Sequence, residues 1–155
     1  MSEPTTRAIL LVEDNPADIY LIQRAVAECS SDLQLFIVPD GAEALAFLRQ
    51  EGSFGHVPTP ALIILDLHLR KIDGDQVLSE LRRLPASRAL PIVVFSGAAK
   101  EIEEGRCLQL GATAYVEKSL NFYVYFAAIK AIVNTWLMHG GSAEKDGSQA
   151  SRREP

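Results

Sequence analysis

Cysteine is scarce in this chain, with only Cys29 and Cys107 among 155 residues. A disulfide scaffold or thiolate metal centre needs more cysteines at tighter spacing. Both fall at apolar-periodic positions of helix-like segments and read as small buried hydrophobes. No His or Cys cluster is present, which counts against a zinc site. No long basic block occurs and the net charge is −5, so direct nucleic-acid binding is not expected. No apolar run approaches the length of a membrane span. The first one stops at Val12, where acids follow at once, unlike a secretory signal. The expected setting is the cytoplasm, with reduced thiols. No loop of glycines and hydroxyls follows that run, which argues against a flavin-binding domain.

What the chain does have is 48% apolar residues, arranged in short blocks. The length predicts one domain with a real core. Five apolar runs, Ala8–Val12, Leu33–Val38, Ala61–Leu65, Ile92–Phe95 and Ala114–Val116, alternate with helix-length segments. Most are continuous, as in strands covered on both faces of a parallel sheet. The pattern predicts a doubly wound α/β domain. Helix starts are marked by Asn15-Pro16-Ala17-Asp18, Asp40-Gly41-Ala42-Glu43 and Asp73-Gly74-Asp75-Gln76. Gly111 marks the end of the fourth helix, and Ser119 or Asn121 caps the fifth. Arg49–Pro60 reads as an exposed connection. Residues 1–6 read as an extension, 7–138 as the domain and 139–155 as a disordered tail.

Several apolar runs end on chemistry. Glu13 and Asp14 follow the first, Asp66 the third, Ser96 ends the fourth, and Lys118 follows the fifth. In an open parallel sheet, ligands bind beyond the carboxyl ends of the strands. Three carboxylates gathered there repel one another, and a divalent cation relieves that repulsion. An oxygen-only donor set favours Mg²⁺ or Mn²⁺. A carboxylate beside such a metal, with a lysine and a hydroxyl close by, suits phosphoryl transfer. The carboxylate can itself be the nucleophile. The small residues Gly97, Ala98 and Ala99 leave room for the incoming group.

Leu11-Val12-Glu13-Asp14-Asn15, Leu65-Asp66 with Asp73-Gly74, Phe95-Ser96-Gly97 and Tyr115-Val116-Glu117-Lys118 resemble the motifs of two-component response regulator receiver domains, in order along residues 7–138. The resemblance implies a five-stranded parallel sheet, order 2-1-3-4-5, flanked by five helices. It implies Asp66 as acceptor of a phosphoryl group from a sensor histidine kinase or a histidine phosphotransfer protein. It implies metal ligation by Asp14, Asp66 and the backbone carbonyl of His68, with Glu13 acting through water. Ser96 and Lys118 would hold the phosphoryl group, and Tyr115 would be the aromatic switch that follows Ser96. Such a chain modifies only itself and is not an enzyme in the usual sense.

The loop before the third strand, the Lys118-Ser119 pair and the ending Trp136-Leu137 resemble stand-alone regulators that partner bacterial phytochromes, implying a phytochrome-type kinase. With no effector domain after Leu137, the expected output is phosphorylation-dependent docking. The apolar surplus of Phe122, Tyr123, Val124, Tyr125, Phe126, Ile129, Ile132, Val133, Trp136 and Leu137 predicts a homodimer through the fifth strand and last helix. Two competing readings are a non-phosphorylated scaffold and an aspartyl-phosphate phosphatase. The latter needs a second acid two residues after its nucleophile, where this chain has His68. Two departures from the family stand out. Ser119 replaces the proline after the lysine, so either the turn is reshaped or a costly cis bond is held there. Arg70 replaces another proline, which loosens the loop after Asp66.

Overall fold

The computed structural model describes residues 7–69 and 74–138. The expected Asp73 cap, Arg70 and both terminal segments lie outside the described residues. Five parallel strands, β1 (Arg7–Val12), β2 (Leu33–Val38), β3 (Leu62–Leu65), β4 (Ile92–Ser96) and β5 (Ala114–Glu117), form one sheet in the order 2-1-3-4-5. The helices are α1 (Pro16–Cys29), α2 (Gly41–Arg49), α3 (Gly74–Arg83), α4 (Lys100–Leu110) and α5 (Phe122–Val133), which continues as a π-helical turn, Asn134–Met138. The fold class and strand order are as expected. The boundaries moved by one residue: β1 gains Arg7, β3 loses Ala61, and β4 and β5 extend over Ser96 and Glu117.

Strand alternation divides the core in two. Leu10, Val12, Ile63, Leu65, Ile92 and Val94 meet α2, α3 and α4 through Ala44, Phe47, Leu48, Val77, Leu78, Leu81 and Cys107. Ile9, Leu11, Leu62, Ile64, Val93 and Phe95 meet α1 and α5 through Ile22, Val26, Tyr125, Ile129 and Val133. Successive side chains of a strand point to opposite faces, so a strand apolar at every position is covered on both. The edge strand β2 is only partly covered. Cys107 is buried as expected. Cys29 is a correction: it ends α1, where only one side of it reaches the core, and it is half-buried.

The caps fix where each helix begins. Asn15 Oδ1 accepts from the N–H groups of Ala17 and Asp18 at 2.9 and 3.1 Å. Asp40 Oδ1 accepts from Glu43 N at 2.9 Å, and Asn121 Oδ1 from Val124 N at 3.1 Å. Ser119, the other candidate cap, instead accepts from Asn121 N at 3.0 Å and shapes the turn before the helix. Gly111, at φ 117°, ends α4 as expected. α4 has no capping side chain at Ala99. Glu117 of β5 reaches across and accepts from Lys100 N at 2.9 Å. The Arg49–Pro60 connection is less open than expected: it contains a 3-10 turn, Gly52–Phe54, and its Phe54 and Val57 pack on the core.

Arg82 ties the far side of the sheet together. Its guanidinium donates to the carbonyls of Gly111, Ser87, Arg88 and Leu90 at 2.8–2.9 Å. Burial lowers its pKa. These bonds hold α3 against the starts of β4 and β5, on the opposite edge from the residues flagged above.

Candidate functional site

Parallel pairing brings the strand ends into line. Val12 pairs with Leu65, and Leu65 with Val94. Ser96 pairs with Glu117. The next residues, Glu13, Asp66 and Lys118, therefore project from one sheet edge. Asp66 N donates to Val12 O at 3.1 Å and Lys118 N to Ser96 O at 2.7 Å, so the ladder runs up to the site itself.

Lys118 is the hub. Its Nζ lies 3.0 Å from Glu13 Oε1, 3.0 Å from Asp18 Oδ2 and 3.3 Å from Asp66 Oδ2. Asp66 is buried, and its other oxygen accepts from His68 N at 3.1 Å. Glu13 is fully buried and its Oε2 accepts from Asn15 N at 3.2 Å. Asp14, Asp18, Asp66, His68, Gly97 and Lys118 line a cleft of about 380 Å³. The His68 side chain is exposed at its mouth. Ser96 is fully buried, and its Oγ is 3.4 Å from Ala98 N. The Tyr115 ring is buried and its hydroxyl donates to Ala98 O at 2.6 Å. Tyr115 thus grips the loop that starts with Ser96.

Asp18 was missed as a site residue. Its place in the first turn of α1 explains it locally as a helix-start acid. The structure adds two long-range contacts: Lys118 on one oxygen, and the Tyr125 hydroxyl of α5, which donates to the other. The only signal in the sequence was an acid one helical turn beyond Asp14. The Lys118–Ser119 bond is not cis, since no cis peptide bond occurs among the described residues. The turn is reshaped instead, with Ser119 Oγ bound to Asn121 N.

Charge in this confined place has measurable consequences. Burial, with repulsion from Asp66 second, pushes the Glu13 carboxyl up to about 7 despite Lys118. Burial alone lowers the Lys118 pKa, but Asp66 and Glu13 outweigh it and leave it raised. Burial and the bond to Asp18 push the Tyr125 hydroxyl far above the ordinary range, so it remains a donor. A raised carboxyl favours the folded state below its unfolded pKa and loses that advantage as pH climbs through the folded value. Glu13's contribution to the stability of the metal-free protein should therefore fall between about pH 4.5 and 7. Glu13→Gln should flatten that fall by an amount on the order of 1–3 kcal/mol. Urea unfolding of both proteins in EDTA at pH 5, 6, 7 and 8 checks this. Parallel curves would contradict it.

No three carboxylate, imidazole or thiol groups among the described residues form a ready-made metal cage. Lys118 already sits among three of the carboxylates. A hard cation needs less than a cage. Mg²⁺ commonly keeps several waters and binds through one or two carboxylates. Asp14 and Asp66 line the same cleft, and the buried Glu13 stands behind them. The donor set fits such an ion.

The receiver domain family of response regulators matches residues 9–130. Response regulator Rcp1 of Synechocystis sp. is 37% identical over 131 residues, covering 84% of this chain and 89% of that protein. A crystal structure of its Mn²⁺-bound form covers the same share of this chain and 94% of the other, with a TM-score of 0.78. The phosphorylated cyanobacterial phytochrome response regulator RcpA is 41% identical, with a TM-score of 0.79, over 84% of this chain and 94% of that one. The receiver domain of a sensor histidine kinase from Pseudomonas aeruginosa, with magnesium coordinated in its active-site cleft, is 25% identical. Its TM-score is 0.65, over 84% of this chain and 96% of that one. Fold, strand-end constellation and sequence agree, and this chain belongs to the response regulator receiver domain family.

Proposed function

We propose that this protein is a stand-alone phosphorylation switch whose acceptor is Asp66. The observation that carries the reading is the Asp66 carboxylate itself. It is buried at a strand tip, with one oxygen held by the His68 N–H and the other facing the Lys118 ammonium. The donor would be a phosphohistidine of a sensor histidine kinase or a histidine phosphotransfer protein. An oxygen of Asp66 attacks phosphorus, the new O–P bond forms as the P–N bond breaks, and the electron pair leaves with the imidazole. Lys118 turns from its carboxylates to an oxygen of the arriving group. Ser96 offers its hydroxyl to another, and Gly97 leaves the approach open. Asp14, Asp66 and the His68 carbonyl would hold Mg²⁺ or Mn²⁺, with Glu13 reaching it through water. When bound, the cation neutralises charge on the phosphoryl oxygens.

The protein would catalyse only its own phosphorylation and dephosphorylation. Likeness to the phytochrome response regulator RcpA supports a phytochrome-type kinase as its partner, and the cytoplasm is proposed as its setting. No helix among the described residues is long and apolar enough to cross a membrane. Neither membrane nor nucleic acid is proposed as a direct partner.

Incubation with acetyl phosphate and Mg²⁺ tests the acceptor. The expected result is a mass gain of one phosphoryl group that Asp66→Asn abolishes. No gain, or a gain that survives the substitution, would leave a receiver-fold scaffold or another chemistry. Turnover of a generic phosphomonoester would favour the phosphatase reading.

The output surface proposed is a homodimer through β5 and α5. Tyr125, Ile129, Ile132, Val133 and Leu137 face the core. Leu120, Phe122, Tyr123 and Val124 remain exposed at the start of α5, the last two at 80% and 55%. A contiguous apolar patch of this kind marks contact surfaces. Sedimentation at micromolar concentration should give a dimer mass. A monomer mass both before and after phosphorylation would contradict the dimer.

A further inference from the structure

Three carboxylates compete for one ammonium, and the phosphoryl transfer proposed above uses only two of them. The third, Asp18, is half-buried in the first turn of α1. One of its oxygens takes the Lys118 ammonium at 3.0 Å and the other takes the Tyr125 hydroxyl. Tyr125 is buried in α5, and its ring packs edge-on against Phe95, the residue before Ser96, at 5.1 Å. The Lys118 ammonium also lies 5.7 Å over that Phe95 ring. Asp18 thus joins the ends of β5, α1 and α5 in a single chain of contacts. It opens on the cleft beside Asp66 and on a second cleft of about 660 Å³ lined by Lys118, Ser119, Leu120, Asn121 and Tyr125.

We propose that Asp18 is a positioning residue that competes with the phosphoryl oxygens for the Lys118 ammonium and, through Tyr125, passes the state of that site to α5. This rests on the reading of Asp66 as acceptor. A phosphoryl group on Asp66 brings new oxygens that draw the Lys118 ammonium. To reach them, Lys118 must give up a charge-assisted bond to Asp18, among the stronger hydrogen bonds a protein makes. Among the described residues, the Asp18 carboxylate then keeps the Tyr125 hydroxyl as its side-chain partner. An anion that has lost its cation must draw closer to its remaining donor or turn to water. Either movement acts on the first turn of α5, where Phe122, Tyr123 and Val124 are exposed, with exposed Leu120 just before it. An amide at position 18 keeps the shape but binds the ammonium weakly. Lys118 is then freer to leave, while the signal to Tyr125 is cut. A tyrosine without its hydroxyl cuts the signal alone.

The probe is beryllium fluoride with Mg²⁺, a phosphoryl mimic that needs no kinase. Its affinity is read by calorimetry, and backbone hydrogen exchange is read over residues 120–133. In the unmodified protein, binding should change exchange in the first two turns of α5. Asp18→Asn should bind the mimic about tenfold more tightly, about 1.4 kcal/mol, and its α5 should no longer respond. Tyr125→Phe should still bind it, with the α5 response lost. Equal or weaker binding by Asp18→Asn, or an α5 response in Tyr125→Phe equal to that of the parent, overturns the proposal. A merely structural role for Asp18 would weaken binding and lower the melting temperature, the opposite sign in the first readout. Should Asp18→Asn not fold, Tyr125→Phe, which keeps the carboxylate and the ring, decides alone. Failure of the unmodified protein to bind the mimic would refute the phosphoryl-site reading itself and the coupling with it.

Discussion

Lys118→Met should destabilise the metal-free protein by about 3–5 kcal/mol at pH 8, the usual cost of stripping one partner from a buried ion pair. The reason lies in the count of charges. Lys118 is the cation shared by Glu13, Asp18 and Asp66. Methionine fills most of the same space but leaves three carboxylates facing one another. The loss should shrink at pH 5, where Glu13, whose pKa is already about 7 with the lysine present, is protonated. It should also shrink in Mg²⁺. Without a competing ammonium the variant's carboxylates should bind the cation more tightly than the parent's, and an ion at one hundred times its dissociation constant returns about 2.7 kcal/mol. Chemical denaturation at the two pH values, with and without Mg²⁺, gives the four numbers. A loss below 1 kcal/mol at pH 8, or one that grows toward pH 5, would show that Lys118 does not hold the carboxylates together. The same variant should fail to retain a phosphoryl group normally, since the arriving oxygens lose their ammonium.

Gly74→Ala should cost on the order of 3 kcal/mol, as overpacking against unyielding neighbours does. A Cβ on Gly74 would lie 2.4 Å from Leu67 O and 2.5 Å from Leu67 Cα. Both are backbone atoms, so no rotamer change relieves the clash. Leu67 stands between Asp66 and His68, so any relief shifts the acceptor loop and the proposed metal-binding carbonyl. The variant should therefore lose Mg²⁺ affinity along with stability. Gly97→Ala is the internal control. A Cβ there meets nothing within 4 Å, and the stability change should stay within about 0.5 kcal/mol. Thermal melts of both variants, read with a Mg²⁺ titration, check the pair. Equal melting temperatures for Gly74→Ala and the parent would contradict the packing account.

The glycine after Asp73 illustrates what the sequence could and could not say. The pair stood out as a helix start and a family motif, but the close approach to Leu67 is a long-range fact. The same division runs through the site. Glu13, Asp14, Asp66, Ser96 and Lys118 were legible because each follows or ends a continuous apolar strand. A parallel sheet turns that sequence position into a place in space. Asn15, Asp40, Asn121 and Gly111 were legible because capping is local chemistry. Asp18 and Tyr125 were not. Each had a sufficient local explanation, a first-turn acid and an apolar helix face. The bond between them depends on how α1 and α5 meet. The trans bond before Ser119 was open for a similar reason: without proline, the peptide itself does not fix the turn. The half-burial of Cys29 follows from its position at the end of α1, which periodicity alone does not reveal.

Locating the acyl phosphate along the chain tests the central claim most directly. After acetyl phosphate and Mg²⁺, borohydride reduces an aspartyl phosphate to homoserine, and peptide mass mapping finds it. Homoserine should appear at position 66 and nowhere else, and only when the phosphoryl donor was present. Homoserine at position 14, or none at all in protein that is folded and binds Mg²⁺, would contradict Asp66 as the acceptor.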